Sequence, residues 1–258
     1  MTRKYNKLNN LVVNLPSRVV ITSNWLHQHK ISSKLAWWYV HSNWLERIGD
    51  KAYKKVNEQI SWVGAVASVQ TQLSSDLRVG AKTALQLLGQ THFVPIQGIK
   101  KVILFKNAKT IIPKWLIQPL YWSTEFKILN SVLFKHGIPL SGVIQKQVDG
   151  INLLISSPEL AILEVLYLIP KEDSFEEALL IMESLRFLRP QLIQTLLEAC
   201  SLVKVKRLFL FLAEKYQHTW FFELDLSKIE LGLGKIVIAG GGSYITKYLI
   251  SVPKIEEE

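Results

Sequence analysis

The sequence predicts an α+β fold with a largely antiparallel sheet and a cluster of helices. The chain has 258 residues, of which 48% are hydrophobic, so it can bury the core of one large domain or two small ones. Apolar residues recur at helical spacing in the first 45 residues and again after residue 157, whereas β-branched and aromatic runs fill residues 99–134. Tight turns at Gly49–Lys51 and Gly240–Gly242 are predicted to join neighbouring strands, which favours antiparallel pairing.

The first 42 residues predict three short helices. The segment NKLNNLVVNL, residues 6–15, is amphipathic and ends before Pro16. Ser23 is predicted to cap a second helix over residues 23–29, and Ser32 to cap a third over residues 33–42. The segment HKIS forms the tight turn between these last two helices.

A β-hairpin is predicted directly after the third helix. Asn43 tolerates the left-handed conformation that ends a helix, and WLERIGDKAYKK predicts two short strands around Gly49–Lys51. Helices joined by a tight turn and followed by a hairpin are the order of a winged helix–turn–helix. The sequence therefore predicts such a domain over residues 1–58 and a second domain over residues 59–258.

The second domain is predicted to be mixed α/β, either as one body or divided near residue 157 into a β-rich and a helical part. QISWVGAVASVQTQL, residues 59–73, predicts a helix that packs the first domain onto the second. A short strand and a helix follow around Gly80, and then IKKVILF, EFKILNSVLF and DGINLLIS predict strands. Four more helices are predicted, from Ser157-Pro158-Glu159, over residues 174–187, over residues 190–199 and in KVKRLFLFLAEKYQH.

The helix after Ser32 carries an unusual run of aromatic residues, and its two faces differ in chemistry. At 100° per residue, one side holds Ala36, Tyr39, Val40 and Asn43. The opposite side holds Lys34, Trp37, Trp38 and His41. The small Ala36 and the mixed polarity of Tyr39 favour the first side as the buried one. Two alternatives stay open. The helix could be rotated so that Leu35, Trp38 and Leu45 are buried, or at least one of Trp37 and Trp38 could pack against the second domain.

If the Trp side is exposed, it has the groups of a DNA-reading helix. Trp can contact a thymine methyl group or a sugar edge, while Lys and His reach phosphate or base acceptors. Lysines of the hairpin would contact phosphates without reading sequence. The candidate DNA-binding residues are Ser32, Ser33, Lys34, Trp37, Trp38, His41, Lys51, Lys54 and Lys55.

The charge distribution supports an anionic partner for the front of the chain. The net charge is +10, but the first 157 residues carry +14 and the remaining 101 carry −4. A basic half of this kind is typical of proteins that bind nucleic acid, although lysines also solubilise β-rich segments. Lys204, Lys206 and Arg207 begin a predicted helix, where the helix dipole disfavours cations. They are a candidate surface for an anionic partner, with plain solvation as the alternative.

The remaining motifs indicate no catalytic or metal site. The glycine turn in AGGGSY lacks a following helix and downstream paired carboxylates, so a hairpin turn is favoured over a phosphate-binding loop. His27 and His29 are two residues apart and do not face each other on a helix. The acidic cluster of Glu172, Asp173, Glu176 and Glu177 is interpreted as a solvated helix start. We expect no metal and no cofactor.

Composition also indicates the cellular compartment in which the protein is expected. The single Cys200 excludes an intramolecular disulfide and is typical of a reducing cytoplasm. The basic N-terminus has no apolar stretch of a signal peptide behind it, and no run of about 18 apolar residues predicts a membrane span. We therefore expect a cytoplasmic protein without a membrane partner.

Several segments together resemble the AbiEi family of antitoxins from bacterial type IV, or abortive-infection, toxin–antitoxin systems. The resemblance covers about residues 17–254. Its motifs are SNWLHQHKISSKLAWWYVHSNWLERIGDKAYKK, SWVGAVASVQTQL, VGAKTALQLLG, ISSPELAILEVLYLIP and KVKRLFLFLAEK.

The resemblance implies a DNA-binding autorepressor that needs no catalysis of its own. Its winged helix would bind inverted repeats in the promoter of its operon, and its C-terminal antitoxin domain would counter an AbiEii toxin, a nucleotidyltransferase-like protein. No stable complex with the toxin is implied, and we expect a monomer that associates with the nucleoid. Members of the family often carry basic residues where this sequence has Trp37 and Trp38, and glycine where it has Asn43. The bases that this chain prefers in DNA would therefore differ from those preferred by such family members.

Two alternatives to this function stay open. One is a nucleic-acid-processing enzyme, such as a nuclease, that is docked by a winged helix. Its carboxylates would have to come from Asp76, Glu125 and Asp149, which are few and scattered. The other is an antitoxin that sequesters its toxin by direct binding through the acidic helical half.

Overall fold

The computed structural model describes residues 17–91, 99–118, 121–122, 124–239 and 241–254. Within these residues it has eight α-helices and eleven strands. Most strand pairs are antiparallel; the pairs that place Val79 opposite Ile155 and Ile250 opposite Ile236 are parallel. The predicted α+β class with largely antiparallel sheets is thus confirmed, while the helix predicted over residues 6–15 lies outside the described residues.

The chain divides into two compact units, which are described separately. Unit 1 comprises the described residues of 1–77, 109–126 and 147–153. Unit 2 comprises the described residues of 78–108, 127–146 and 154–258. Each unit therefore draws on segments that are far apart in the sequence.

The described part of unit 1 starts with a short strand, followed by two short helices and a β-hairpin. The elements are β1 (Ile21–Thr22), α1 (Ser23–Gln28), α2 (Ser33–His41), β2 (Leu45–Gly49), β3 (Ala52–Lys55) and α3 (Trp62–Gln72). The strands pair antiparallel in the order β1-β3-β2, with Ile21 opposite Tyr53 and Leu45 opposite Lys55. The predicted hairpin is confirmed, and Lys51 at its turn has a positive φ of 56°.

Side chains cap both short helices. Thr22, and not Ser23, caps α1: its Oγ1 accepts a hydrogen bond from the Trp25 amide at 3.2 Å. The Ser32 cap is confirmed, because its Oγ accepts from the Leu35 amide at 3.3 Å. Asn43 has the expected left-handed conformation, with φ of 54°.

The helix α3 satisfies the backbone of the segment around β1. Gln72 accepts from the Thr22 amide at 2.8 Å and donates to the Val20 carbonyl at 2.7 Å. The Ser68 hydroxyl accepts from the Val20 amide at 2.8 Å. Because these groups are buried, their hydrogen bonds fix β1 on α3.

Two buried tryptophans pack next to the hairpin of unit 1. Trp115 and Trp122 are 3% and 5% exposed, and their rings meet edge to face with centroids 6.3 Å apart. The Trp122 indole donates to the Leu116 carbonyl at 2.9 Å. A Cβ atom at Gly49 would lie 2.6 Å from the Trp115 Cβ, so glycine allows this close approach.

A five-stranded sheet lies mainly in unit 2. Its order is β6 (Glu125–Asn130), β5 (Lys101–Lys106), β4 (Arg78–Val79), β8 (Ile151–Ser156) and β7 (Val143–Val148). The strand β7 was not predicted. Its turn, Asp149-Gly150, has φ of 50° and 80°, and Asp-Gly between apolar runs is a known hairpin signal that could have identified it.

The helices of unit 2 follow the predicted order. They are α4 (Ala81–Leu87), α5 (Pro158–Leu168), α6 (Phe175–Ser184), α7 (Pro190–Ala199) and α8 (Val203–Lys215). The Ser157 cap is confirmed by a 3.3 Å hydrogen bond from the Leu160 amide. All five helices contribute fully buried apolar side chains.

The predicted hairpin at the end of the chain is wrong. The three strands there are β9 (Ile236–Val237), β10 (Ser243–Ile245) and β11 (Ile250–Val252), in the order β10-β11-β9. The strand β11 lies between the other two and is antiparallel to β10 but parallel to β9. The glycine segment therefore connects strands that are not neighbours.

A buried ion pair joins the sheet of unit 2 to its central helix. Arg78 on β4 and Glu164 on α5 are 3% and 0% exposed, and their nearest N and O atoms are 2.6 Å apart. Glu164 also accepts from the Ala81 amide at 2.8 Å, and Arg78 donates to the hydroxyls of Ser131 and Ser156. Each charge is thus surrounded by partners, as burial requires.

Glu164→Gln tests this constraint. The substitution leaves the Arg78 guanidinium buried without its counter-charge, so we expect the free energy of unfolding to fall by about 3 kcal/mol in urea denaturation near neutral pH. The control is Glu230→Gln, because Glu230 is exposed. If the two variants unfolded at the same urea concentration, the proposed contribution of the Arg78–Glu164 ion pair to stability would be contradicted.

Candidate nucleic-acid interface

One side of α2 exposes the residues that the sequence placed on its DNA-reading face. Trp37 and Trp38 are 60% and 42% exposed, whereas Ala36 and Tyr39 are 3% and 1% exposed. Burial raises the pKa of the Tyr39 hydroxyl. The predicted register is therefore confirmed, and the alternative register with Trp38 inside is excluded.

The buried side of α2 packs into a small core that sets the rotation of the helix. This core consists of Ile21, Leu26, Ile31, Ala36, Tyr39 and Leu45. It draws on β1, α1, the turn before α2, and β2. Since these elements all contact the Ala36–Tyr39 side, Trp37 and Trp38 necessarily face away from it.

Trp37 and His41 form a preorganised pair on the exposed side. Their rings stack with centroids 3.6 Å apart, and His41 Nδ1 lies 2.9 Å from the Trp37 carbonyl oxygen. A carbonyl only accepts hydrogen bonds, so this contact assigns the proton to Nδ1 and leaves Nε2 as an acceptor in the neutral ring. The pair thus offers an apolar ring edge beside a polar nitrogen.

The helix α1 repeats this arrangement, which the sequence reasoning missed. Trp25 and His29 stack at 3.7 Å, and His29 Nδ1 lies 2.8 Å from the Trp25 carbonyl oxygen. The signal was present as two Trp-x-x-x-His spacings, because residues four apart face each other on a helix.

The polar candidates at the start of α2 differ in what they can do. Ser32, Ser33 and Lys34 are all exposed. The Ser32 hydroxyl is engaged as the helix cap, so its acceptor capacity is partly used. Ser33 and Lys34 lie in the first turn, next to the Trp37 and Trp38 side.

The hairpin lysines are only partly accessible. Lys51 is exposed at the turn, but Lys54 pairs with Glu46 at 3.0 Å and donates to the Glu58 carbonyl at 3.3 Å. Lys55 is half-buried and donates to the Ser17 hydroxyl at 3.2 Å. A further cation, Arg47, is exposed on β2 and was missed, although its alternation with buried Ile48 indicates an outward side chain.

The predicted anionic-partner surface at the start of α8 is wrong for two of its three residues. Lys206 and Arg207 are 4% and 1% exposed. The Arg207 guanidinium donates to four backbone carbonyls, those of Leu231, Gly232, Gly234 and Leu249. Arg207 therefore holds the irregular segment before β9 in place, and its charge is compensated within the protein.

Lys204 is half-buried and is also engaged internally. Its Nζ donates to the carbonyls of Tyr167 and Ile169 at 2.9 and 2.6 Å, at the end of α5. Burial lowers the pKa of Lys204, and the charge of nearby Lys171 lowers it further. A cation at the C-terminus of a helix is favoured by the helix dipole, which accounts for this position without an external partner.

The acidic cluster lies at a helix start, as the sequence indicated, with Glu176 and Glu177 in the first turn of α6 and with Glu172 and Glu176 exposed, but three of its four members are also ion-paired. Lys82 pairs with Glu177 at 2.7 Å, and Lys127 pairs with Glu172 at 2.7 Å. The Asp173 side chain is 7% exposed, and burial raises the pKa of its carboxyl. These carboxylates are therefore part of an ion-paired region of unit 2.

The described residues show no group of three or more His, Cys, Asp or Glu side chains arranged to hold a metal ion. Within the same residues, no helix has both the length and the apolar character needed to cross a membrane.

Comparison with known proteins identifies relatives for both parts of the chain. Residues 4–96 match the family model described as a transcriptional regulator, AbiEi antitoxin N-terminal domain. Residues 99–253 match the model of the AbiEi antitoxin, a transcriptional regulator of a type IV toxin–antitoxin system. No curated protein matches the chain.

A solved structure shares the fold. The crystal structure of the RV2827C protein from Mycobacterium tuberculosis has a TM-score of 0.63, covers 97% of this chain and 91% of its own, and is 12% identical in sequence. The two family models together span nearly all residues, in agreement with the resemblance of the sequence motifs. The chain belongs to the AbiEi family, the antitoxins and transcriptional regulators of type IV toxin–antitoxin systems.

Proposed function

We propose that this chain represses its own operon by binding inverted repeats in the promoter, and that it counters a nucleotidyltransferase-like toxin. In this proposal residues 1–58 are a winged helix–turn–helix and residues 59–258 are the antitoxin domain. The observation that carries the DNA-binding part is the exposed Trp side of α2, held in one rotation by the buried Ala36–Tyr39 side. The chain has no catalytic role in this proposal.

The element order supports a winged helix. The run β1-α1-α2-β2-β3, with the sheet order β1-β3-β2, puts α2 directly before the hairpin. In this arrangement α2 is the recognition helix, and the turn around Lys51 is the tip of the wing. Both would contact the same stretch of duplex.

The chemistry of α2 supports a mainly apolar reading of the major groove. Trp37 and Trp38 can contact thymine methyl groups, and His41 Nε2 can form a hydrogen bond with a base edge. Lys34 and Ser33 would contact phosphates or base acceptors beside them. Because the reading side has one lysine, its contribution to the salt dependence is small.

The hairpin supplies the sequence-independent part of binding. Lys51 and Arg47 are exposed, and Lys54 and Lys55 stand on the same strand pair. Their contacts to phosphates would position the domain and account for most of its salt dependence. The excess of basic residues in the first 157 residues would steer the chain towards DNA.

The antitoxin role is proposed without a stable toxin complex and with the chain acting as a monomer in the bacterial cytoplasm, associated with the nucleoid. The separate basic and acidic halves of the chain support two separable activities. Sequestration of the toxin by direct binding, or processing of nucleic acid, would be the competing accounts.

Replacing hairpin lysines tests the wing. Lys51→Ala combined with Lys55→Ala should weaken binding to all duplexes and make the slope of log K against log salt shallower by about 1.8, since two phosphate contacts are lost. Fluorescence anisotropy at several salt concentrations measures this. The control is Lys171→Ala with Lys215→Ala, which removes the same charge from exposed positions in unit 2. Equal slopes in the two double variants would refute the wing assignment.

Replacing the tryptophans tests the reading helix. Trp37→Ala with Trp38→Ala should weaken binding to the promoter repeats about tenfold or more, because apolar base contacts are lost. Binding to unrelated DNA and the salt slope should change little. Phe187→Ala is the control, as Phe187 is a 91% exposed aromatic in unit 2. An equal loss on both kinds of DNA would contradict sequence reading by these residues.

A cellular assay tests whether the two activities are separable. The chain is expressed with a reporter behind its own promoter and, in a second strain, with the toxin from the same operon. The Trp37→Ala, Trp38→Ala variant should lose repression but keep rescue of growth, because the antitoxin domain is unchanged. Co-purification of a stoichiometric toxin complex would instead favour sequestration, and stabilisation by divalent metal would favour an enzyme.

A further inference from the structure

A cleft of about 500 Å³ lies in unit 1, between the hairpin, the start of α3 and the segment around Trp122. Pockets of this size hold small molecules rather than single ions. Its lining includes Lys54 from β3, Ser61 and Trp62 from the start of α3, and Tyr121 and Trp122. The proposed repressor function uses none of these residues except Lys54.

Aromatic rings form much of the wall of this cleft. Trp62 and Tyr121 are half-buried, and Trp122 is held by its hydrogen bond to the Leu116 carbonyl, by an edge contact to Trp115 and by a tilted ring contact to Tyr121. A rigid aromatic wall favours a flat ligand that can stack on it or meet it edge to face. The cleft thus offers a flat ring an aromatic surface beside the polar side chains of Gln59, Ser61 and Thr124.

One cationic donor in the cleft, Lys54, can hold an acceptor group of a ligand. Among the described residues that line it, Lys54 is the one charged side chain. Its Nζ donates to Glu46 and to the Glu58 carbonyl, and an ammonium group has three donors, so one more acceptor can be bound. Among the described residues, none is hydrogen-bonded to the buried Oε2 of Glu58, and Glu58 is not one of those that line the cleft.

We infer that this cleft binds a small planar aromatic anion, such as an aromatic carboxylate, with its ring against Trp62, Tyr121 and Trp122 and its charge on Lys54 Nζ. A charge-assisted hydrogen bond of this kind is about twice as strong as a neutral one. Because of Lys54, the carboxylate would therefore bind more tightly than the neutral amide of the same acid.

Binding at this site would act on DNA binding through the same lysine. This step rests on the proposed function, in which Lys54 belongs to the wing. A bound carboxylate occupies Lys54 and adds a negative charge beside the hairpin, so the affinity for DNA falls. The chain would then be a repressor released by an aromatic acid.

The experiment is isothermal titration calorimetry on the full chain without DNA. The probes are salicylate and 1-naphthoate, each compared with its own amide, and benzylamine as an aromatic cation. We expect at least one carboxylate to bind about tenfold or more tightly than its amide, because the amide lacks the charge. The inference would be overturned if neither carboxylate gave heat of binding. It would also be overturned if acid and amide bound equally tightly, or if benzylamine bound more tightly than the carboxylates.

Three variants place the binding in the cleft. Lys54→Gln should reduce the affinity for the carboxylate about tenfold or more, whereas Glu46→Gln should increase it, since Lys54 is then no longer shared with Glu46. Lys171→Gln, which removes the same charge from an exposed position in unit 2, is the matched control and should leave the affinity unchanged. Thermal unfolding checks that each variant is folded. An unchanged affinity in both Lys54→Gln and Glu46→Gln would show that the anion binds elsewhere.

DNA competition is measured separately, by anisotropy of a labelled promoter duplex with the carboxylate that binds. Binding of the carboxylate without loss of DNA affinity would overturn the coupling but keep the ligand site. Absence of DNA binding at any ligand concentration would instead contradict the proposed function and leave the calorimetric result intact.

Discussion

The packing of Ala36 and Tyr39 against β1, α1 and β2 is the constraint on which the candidate interface depends. A helix of nine residues has little intrinsic stability, so its rotation is set by the side that it buries. Once Tyr39 is inside, geometry places Trp37 and Trp38 outside. The exposure of two large aromatics is thus a consequence of packing, and Trp37 is additionally stacked on His41.

Compensation of buried charge explains why the basic residues of this chain have different roles. Arg78 and Arg207 are both buried, and each is surrounded by acceptors from segments distant in sequence. Their positive charge is therefore used to stabilise unit 2 and does not contribute a binding surface. The lysines and the arginine of the hairpin lie at or near the surface of unit 1, where charge can meet phosphate. Net charge alone does not separate these two groups, because it counts both equally.

The hairpin of unit 1 combines two environments. Its outer side carries Lys51 and Arg47, while Lys54 and Ile48 also line the cleft whose aromatic wall comes from Trp62, Tyr121 and Trp122. Trp115 approaches Gly49 of the hairpin closely and meets Trp122 of this wall edge to face. A ligand in the cleft and a phosphate on the wing would thus compete for one side chain. This provides a short physical route between a small molecule and DNA, since a single lysine connects both proposed sites.

The sequence by itself determined the features that depend on neighbouring residues. The caps at Ser32 and Ser157, the hairpin at Gly49–Lys51 and the buried side of α2 all follow from hydrogen bonds or periodicities within a few positions. Only the tertiary structure decided that Arg207 is buried, that β11 separates β9 from β10, and that a cleft forms between the hairpin, the start of α3 and the side chains of Tyr121 and Trp122. The reason is that these features join residues distant along the chain, and local patterns carry no information about such contacts.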